Sequence, residues 1–282
     1  METTAETKLL GLIGHPVSHT LSPKLHSYFA QKTGKDTVYL AFDIKKQKLG
    51  DVISSAKNMG VLGFNITAPY KIDILSSVDC IDEEAMRMGS VNTIVNRGDK
   101  WYGYNTDGSG FVHSLELEIG SLHGKKVLLL GAGGTARSIS YQFAKRDVAS
   151  VTISARNLQN IDTIRNMLAE YTDCPFFDQM DMAEDYDIIV NTTPLGMHEH
   201  ASENPFAAHM DKIRKNMVCC DLIYNPKKTL FLTEAQKRGA YIVNGLSMLV
   251  MQGIYAYELF TDTKLGTECF DEAMNLFTEF RI

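Results

Sequence analysis

Residues 125–157, KKVLLLGAGGTARSISYQFAKRDVASVTISARN, constrain the fold more than any other stretch of the chain. The apolar run 127–130 ends directly in Gly131-Ala132-Gly133-Gly134. An unbroken run of that kind fits a parallel strand buried on both faces. A helical pattern follows, with Ile139, Phe143 and Ala144 at helical spacing from Thr135 to about Arg146, and Val151-Thr152-Ile153 supplies a second strand. Gly131 permits the tight turn and Gly133 lets backbone N–H groups approach a pyrophosphate, while the small Ala136 lets the helix pack on the strand. The phosphates of a nucleotide would sit on the helix N-terminus.

The end of the second strand bears on which nucleotide. NAD binders place an Asp or Glu about 20 residues beyond the glycines, where it takes the ribose 2′-hydroxyl. This chain has Ser154-Ala155-Arg156-Asn157 there, with Arg156 22 residues after Gly134. A guanidinium suits a 2′-phosphate bidentately, and a carboxylate would repel it, so the sequence leans to NADP. A solvated surface arginine is the other reading of Arg156.

At 282 residues the chain is long enough for two domains, each with its own core. A hydrophobic content of 44% with 22% charged residues excludes a disordered chain. No apolar run approaches the roughly 20 residues of a membrane span. The opening METTAETKLLG has no basic segment followed by a long apolar core, so a cytoplasmic location is expected. Five cysteines without a CxxC pair suit reduced thiols, and Cys219-Cys220 reads as strand filling rather than a metal pair. A net charge of −6 provides no basic footprint for nucleic acid.

Polar residues recur where apolar runs end. Residues 8–13 read as a strand, and the turn after them carries Thr20 and Ser22 before a helix closed by Gly34. Ser22 suits an N-cap with Pro23 at the first helical position, yet Thr20 in the same turn makes with it a pocket of donors suited to a carboxylate. A strand over 38–44 and a helix over 47–58 precede a buried strand that runs into Asn65, Thr67 and Lys71. Open α/β sheets bind ligands at such C-terminal strand ends. Asn92-Thr93 and Asn105-Thr106-Asp107 repeat the pattern, and Asp107 reads either as a site residue or as the cap of a helix starting near Gly110.

Farther on, a strand over 187–190 ends in Asn191-Thr192-Thr193-Pro194, a polar turn of the kind that lies under a nicotinamide. His198-Glu199-His200 lacks a third ligand at a recognisable spacing, so no metal site is expected. Strands are read at 218–223 and 241–243. Gln252 then interrupts an apolar helix over 246–257, where its amide needs a partner. Residues 268–280 form an amphipathic segment with Phe270, Met274 and Phe277 on one face.

These motifs together resemble the shikimate dehydrogenases. His19-Thr20-Leu21-Ser22-Pro23, Asn65-Ile66-Thr67-Ala68-Pro69-Tyr70-Lys71, Val91-Asn92-Thr93, Gly103-Tyr104-Asn105-Thr106-Asp107-Gly108, Gly131-Ala132-Gly133-Gly134, Asp221-Leu222-Ile223-Tyr224-Asn225-Pro226 and Met248-Leu249-Val250-Met251-Gln252 recur in family order over nearly the full length.

The resemblance implies an α/β fold with a substrate-binding domain over 1–108 and a Rossmann-type, doubly wound NADP domain over 109–243. C-terminal helices over 244–282 would return to the first domain, with the active site in the cleft. It also implies NADP-linked reduction of 3-dehydroshikimate to shikimate by a monomer or homodimer, with Lys71 and Asp107 as the catalytic pair. Thr20 and Ser22 would hold the substrate carboxylate, and Thr67, Asn92, Asp107 and Gln252 the ring hydroxyls. Gly131, Ala132, Gly133, Gly134, Thr135, Ala136, Arg156, Thr192, Thr193, Leu222, Gly245 and Met248 would contact the cofactor.

Three departures from the family pattern stand out. Thr20 replaces Ser, Ala155 and Asn157 flank Arg156 in place of Asn and Thr, and Ser27 replaces Asn. The first leaves shikimate versus quinate open and the second bears on the NADP preference, so a quinate/shikimate dehydrogenase using NAD is one alternative; a ligand-sensing paralogue without turnover is the alternative of another class, against which the intact Lys71 and Asp107 speak.

Overall fold

The computed structural model describes residues 3–178, 185–266 and 268–282. It divides into one unit of Met1–Gly110 with Val250–Leu276 and a second of Phe111–Leu249 with Phe277–Ile282. Each unit is built on one six-stranded sheet.

The first unit contains β1 (Lys8–Gly14), β2 (Thr37–Asp43), β3 (Gly63–Ile66), β4 (Cys80–Ile81), β5 (Thr93–Arg97) and β6 (Lys100–Tyr104), in the order β2-β1-β3-β5-β6-β4. β1 runs parallel to β2 and β3, whereas β5 is antiparallel to both β3 and β6. All four residues of β3 are buried, as its near-apolar run requires of an interior strand. The β5–β6 hairpin turns through Gly98 and Asp99, both at positive φ (57° and 64°), the backbone of a two-residue primed turn.

Helix α1 (Ser22–Thr33) ends at Gly34, whose φ of 65° lets its N–H reach back to the helix carbonyls. The expected Ser22 cap does not form. Leu21 occupies the cap position without a side-chain bond, and Ser22 is the first helical residue, so its hydroxyl is left for other partners. The helix expected over 47–58 opens as a 3-10 turn, Lys46–Lys48, and becomes α2 at Leu49–Asn58. α3 (Glu83–Met88) is capped by Asp82. α4 spans Asp107–Ile119 and so begins three residues before Gly110.

The second unit contains β7 (Lys126–Leu130), β8 (Ser150–Ser154), β9 (Phe176–Phe177), β10 (Ile188–Asn191), β11 (Val218–Asp221) and β12 (Tyr241–Val243). Their order is β12-β11-β10-β7-β8-β9, and every pairing is parallel. This is the doubly wound arrangement, with β7 and β10 adjacent where the chain reverses direction across the sheet. Helices α5 (Gly134–Ala144), α6 (Leu158–Tyr171) and α7 (Leu230–Lys237) connect its strands, and α8 is Leu246–Thr261. The amphipathic segment expected over 268–280 is helical only as α9 (Glu268–Asn275). Phe277 then leaves helical geometry at φ −127° before a 3-10 turn, although Phe270, Met274 and Phe277 are all buried as expected. Among the described residues, no helix is long and apolar enough to cross a membrane.

The imidazole of His26 lies among aromatic side chains in the interior of the first unit. His26 of α1 stacks on Tyr39 at 4.1 Å and is ringed by Phe29, Tyr257 and Phe260. Its Nδ1 has no hydrogen-bond partner, and burial lowers its pKa from 6.5 to about 3. Because the folded value lies below the unfolded one, the unfolded chain takes up this proton first as pH falls. The stability tied to neutral His26 is therefore complete above pH 6.5 and is lost on descent toward pH 3, approaching about 5 kcal/mol. Urea melts across that range should show His26→Phe losing less stability on acidification than the wild type.

Candidate active site

In the first unit, strand directions gather the polar residues. The registers Asn65↔Thr93 and Thr93↔Tyr104 put the end of β3, the start of β5 and the end of β6 at one edge of the sheet. Lys71 follows β3 by a turn, and its carbonyl accepts from the Val91 N–H at 2.8 Å, which ties that turn to the approach to β5.

The Lys71 ammonium donates to Oδ2 of Asp107 at 2.7 Å, with side chains only 18% and 6% exposed. Oδ1 of Asp107 accepts from the Asn92 amide at 2.8 Å, so the two carboxylate oxygens have separate partners. Charge-assisted bonds of this length are the strong ones, and limited water access keeps them so. Asp107 is the first residue of α4, and its backbone N–H is bonded by Asn105 Oδ1 at 3.1 Å. Asn105 is fixed in turn by donating to the Ser90 carbonyl at 2.8 Å. The Asn92 side-chain oxygen accepts from the Thr106 N–H at 2.8 Å, which pins the helix start to β5.

The remaining residues of this unit lie nearby in the fold. Thr20 donates its hydroxyl hydrogen to the Ser22 oxygen at 3.1 Å, and the Ser22 hydroxyl is bonded to the Tyr39 phenol. Thr67 lies against Gly14, where any added Cβ would overlap its methyl. Gln252 of α8 is half-buried against Gly110 of α4. A Cβ on Gly110 would stand 2.7 Å from the Gln252 backbone, so only glycine allows this approach.

In the second unit, Gly131 has φ 111°, and a Cβ there would lie 2.6 Å from the Thr192 hydroxyl. Both the left-handed backbone and the close approach of Thr192 require glycine. Gly133 caps α5 in an extended conformation, exposed and with open space around it, while Ala136 packs beneath at 0% exposure. That combination leaves the α5 N-terminus accessible to a phosphate group. Ala132 is buried, Gly134 and Thr135 are half-buried in the first turn of α5, and Arg156 is exposed just beyond β8. Asn157 caps α6 by accepting from the Asn160 N–H at 3.2 Å, so its side chain has a structural task.

The turn after β10 is braced from below. Asn191 Oδ1 accepts from the Thr193 N–H and hydroxyl at 2.9 and 2.7 Å, and its amide donates to both oxygens of Asp221 at 3.2 Å. Asp221 also accepts from the Thr229 hydroxyl at 2.7 Å. The half-buried Leu222 presses its carbonyl against Gly245, where a Cβ would overlap it outright, and Met248 is buried one turn into α8. His200 pairs with Glu203 at 2.6 Å, and no cluster suited to a metal occurs among the described residues.

Two family models match the chain, one within each unit. The family model for the shikimate dehydrogenase substrate binding domain matches residues 12–94, and that for shikimate / quinate 5-dehydrogenase matches residues 114–227. The shikimate dehydrogenase (NADP+) of Methanococcus aeolicus is 42% identical over 265 residues, covering 92% of this chain and 94% of its own. The chain belongs to the shikimate dehydrogenase family. A crystal structure of a shikimate dehydrogenase in complex with NADP+ superposes with a TM-score of 0.88 at 37% identity, covering 97% of this chain and 96% of that one. The shikimate 5-dehydrogenase of Listeria monocytogenes, in complex with shikimate and NAD, has a TM-score of 0.86 at 31% identity, with 96% and 98% covered.

Tyr39, Thr93, Thr106, Asn191 and Asp221 support the named side chains; Thr93, Thr106 and Asn191 stand in polar strand-end runs of the sequence without an assigned role there, and Tyr39 and Asp221 have no role in that reading. A polar residue inside a buried strand was the available signal, carried by Thr93 in β5 and Asp221 in β11. Burial pushes the Asp221 carboxyl up from 3.8 to about 6, against three neutral donors that lower it. The folded state thus holds this proton more tightly than the unfolded chain. Its stabilising contribution is complete below about pH 4 and is lost as pH rises through 6, roughly 3 kcal/mol in all. Asp221→Asn should remove that slope, read as a flatter stability profile between pH 4 and 7 in urea melts.

Proposed function

We propose that the chain reduces 3-dehydroshikimate to shikimate with NADPH, reversibly, with Lys71 and Asp107 as its catalytic pair. The observation that carries this reading is the Lys71–Asp107 ion pair at 2.7 Å, with the second carboxylate oxygen held by Asn92. Ketone reduction places negative charge on the carbonyl oxygen, and an ammonium already aimed by a carboxylate stabilises that charge where it develops. Lys71 also holds the proton that neutralises the oxygen, and Asp107 keeps the ammonium oriented. The bound cofactor supplies the hydride.

Thr20 and Ser22, with adjacent hydroxyls, take the substrate carboxylate. Thr67, Asn92, Asp107 and Gln252 take the ring hydroxyls. The open backbone at Gly133 supports pyrophosphate binding by Gly131, Ala132, Gly133, Gly134, Thr135 and Ala136. Thr192, Thr193, Leu222, Gly245 and Met248 line the nicotinamide end. Arg156 takes the 2′-phosphate alone, because Asn157 is engaged as the α6 cap. All five cysteines are free thiols, which supports a reducing, cytoplasmic location. Both members of the catalytic pair and their supports come from one chain, so a monomer or a homodimer would serve.

Purified protein assayed with shikimate or quinate and with NADP or NAD tests the reading. Shikimate with NADP should be the best combination, with kcat/KM at least about tenfold above that with NAD, a difference of roughly 1.4 kcal/mol. Equal use of both cofactors would remove Arg156 from the proposal, and no turnover of any combination would favour the sensor reading. Lys71→Ala should lower kcat by at least about a hundredfold with little change in KM for shikimate, since its interaction strengthens with the developing oxyanion. A rise in KM alone would make Lys71 a binding residue.

A further inference from the structure

Two contacts of Asn92 have donors and acceptors that cannot be exchanged. Its Oδ1 accepts from the backbone N–H of Thr106, and its Nδ2 donates to the carboxylate of Asp107. The orientation of this amide is therefore fixed, and it dictates the direction of every bond behind it. Thr93 must donate its hydroxyl hydrogen to Asn92 Oδ1 at 3.0 Å. Its lone pair must then accept from Asn65 Nδ2, also at 3.0 Å. That leaves Asn65 Oδ1 facing the Tyr39 phenol, which must donate at 2.8 Å.

We propose that Tyr39, Asn65 and Thr93 are positioning residues, forming a one-way chain of hydrogen-bond donors that runs through Asn92 and ends on the Asp107 carboxylate. Donors aligned in one sense polarise one another, and the polarisation accumulates at the terminal acceptor, here the negative group that aims Lys71. The chain is dry along its length. Tyr39, Asn65, Asn92 and Thr93 are 4%, 6%, 2% and 0% exposed, so water does not substitute for a missing link. Burial also holds the Tyr39 phenol well above its ordinary value, which keeps it a donor. None of the three needs to touch substrate for this role, because each acts through the next. The idea rests on Lys71 and Asp107 being the catalytic pair.

Three single variants, and one of them repeated in an Asp107→Asn background, test it in the whole chain with shikimate and NADP. Thr93→Val keeps the shape and removes the hydroxyl; it should lower kcat about tenfold at a temperature where the variant stays folded, alongside a fall in melting temperature because the Asn65 amide loses this acceptor. Thr93→Ser restores the hydroxyl and should recover most of the rate. Tyr39→Phe removes the phenol that donates to Asn65, and with it the partner of the Ser22 hydroxyl, and should lower kcat about threefold. In an Asp107→Asn background, Thr93→Val should change the residual rate by less than about twofold, because the route through the carboxylate is already broken.

The inference is overturned if Thr93→Val matches the wild type, if Thr93→Ser is as slow as Thr93→Val, or if the Thr93→Val loss is undiminished beside Asp107→Asn. Should Thr93→Val fail to fold, Tyr39→Phe decides: a slowed, folded variant supports the chain, and wild-type kcat overturns it. A wild type inactive in all four substrate and cofactor combinations would instead overturn the proposed function.

Discussion

The first unit depends on the satisfaction of one buried carboxamide. Asn92 is 2% exposed, and each unpaired polar group in such a position costs on the order of 1–3 kcal/mol. Its oxygen and nitrogen are paired by Thr93, Thr106 and Asp107, residues from the strand that follows it and from the start of α4. Satisfying the amide therefore forces the strand and the helix start into one arrangement. Lys71 joins through the Val91 N–H on its carbonyl as well as through its ammonium, so backbone and side chain are fixed by the same edge of the sheet. The geometry of the Lys71–Asp107 pair is a by-product of burying an asparagine well.

The second unit uses the same device with a different balance of charge. Asn191 at the end of β10 braces Thr193 with its oxygen and Asp221 with its nitrogen. Asp107 has an ammonium at 2.7 Å, whereas the bonded partners of Asp221 are two side chains and a backbone N–H that are all neutral. Burial then outweighs hydrogen bonding and the Asp221 carboxyl moves up to about 6. The buried imidazole of His26 shifts in the other direction, since the charged form is the one that burial penalises in both cases.

Local chemistry was legible in the sequence wherever one segment decides the outcome. The apolar run into Gly131, the helix after it and the Gly34 terminus of α1 are each written within a few residues, and they form where expected. Features that needed a partner far along the chain were not. Ser22 carries the signature of a cap, yet its hydroxyl meets Thr20 and the phenol of Tyr39. Thr93 reads as one of the polar residues at a strand end, but nothing in the sequence joins it to Asn65 until β3 lies beside β5. The residues alone left Asp107 open between cap and site, and only the fold shows its oxygens facing Lys71 and Asn92.

The two-residue turn at Gly98-Asp99 sits at the far end of the hairpin from these side chains, beyond the Arg97↔Lys100 pair. Its length sets which residue of β6 opposes Thr93, and through that where Thr106 and Asp107 emerge. Side chains alternate faces along a strand, so a slip of one position would turn Asn92 away from the helix start it holds. An insertion or deletion of a single residue in this small, polar turn would thus be felt at Asp107. For divergence and for engineering alike, the hairpin tip tolerates a change of residue more readily than a change of length.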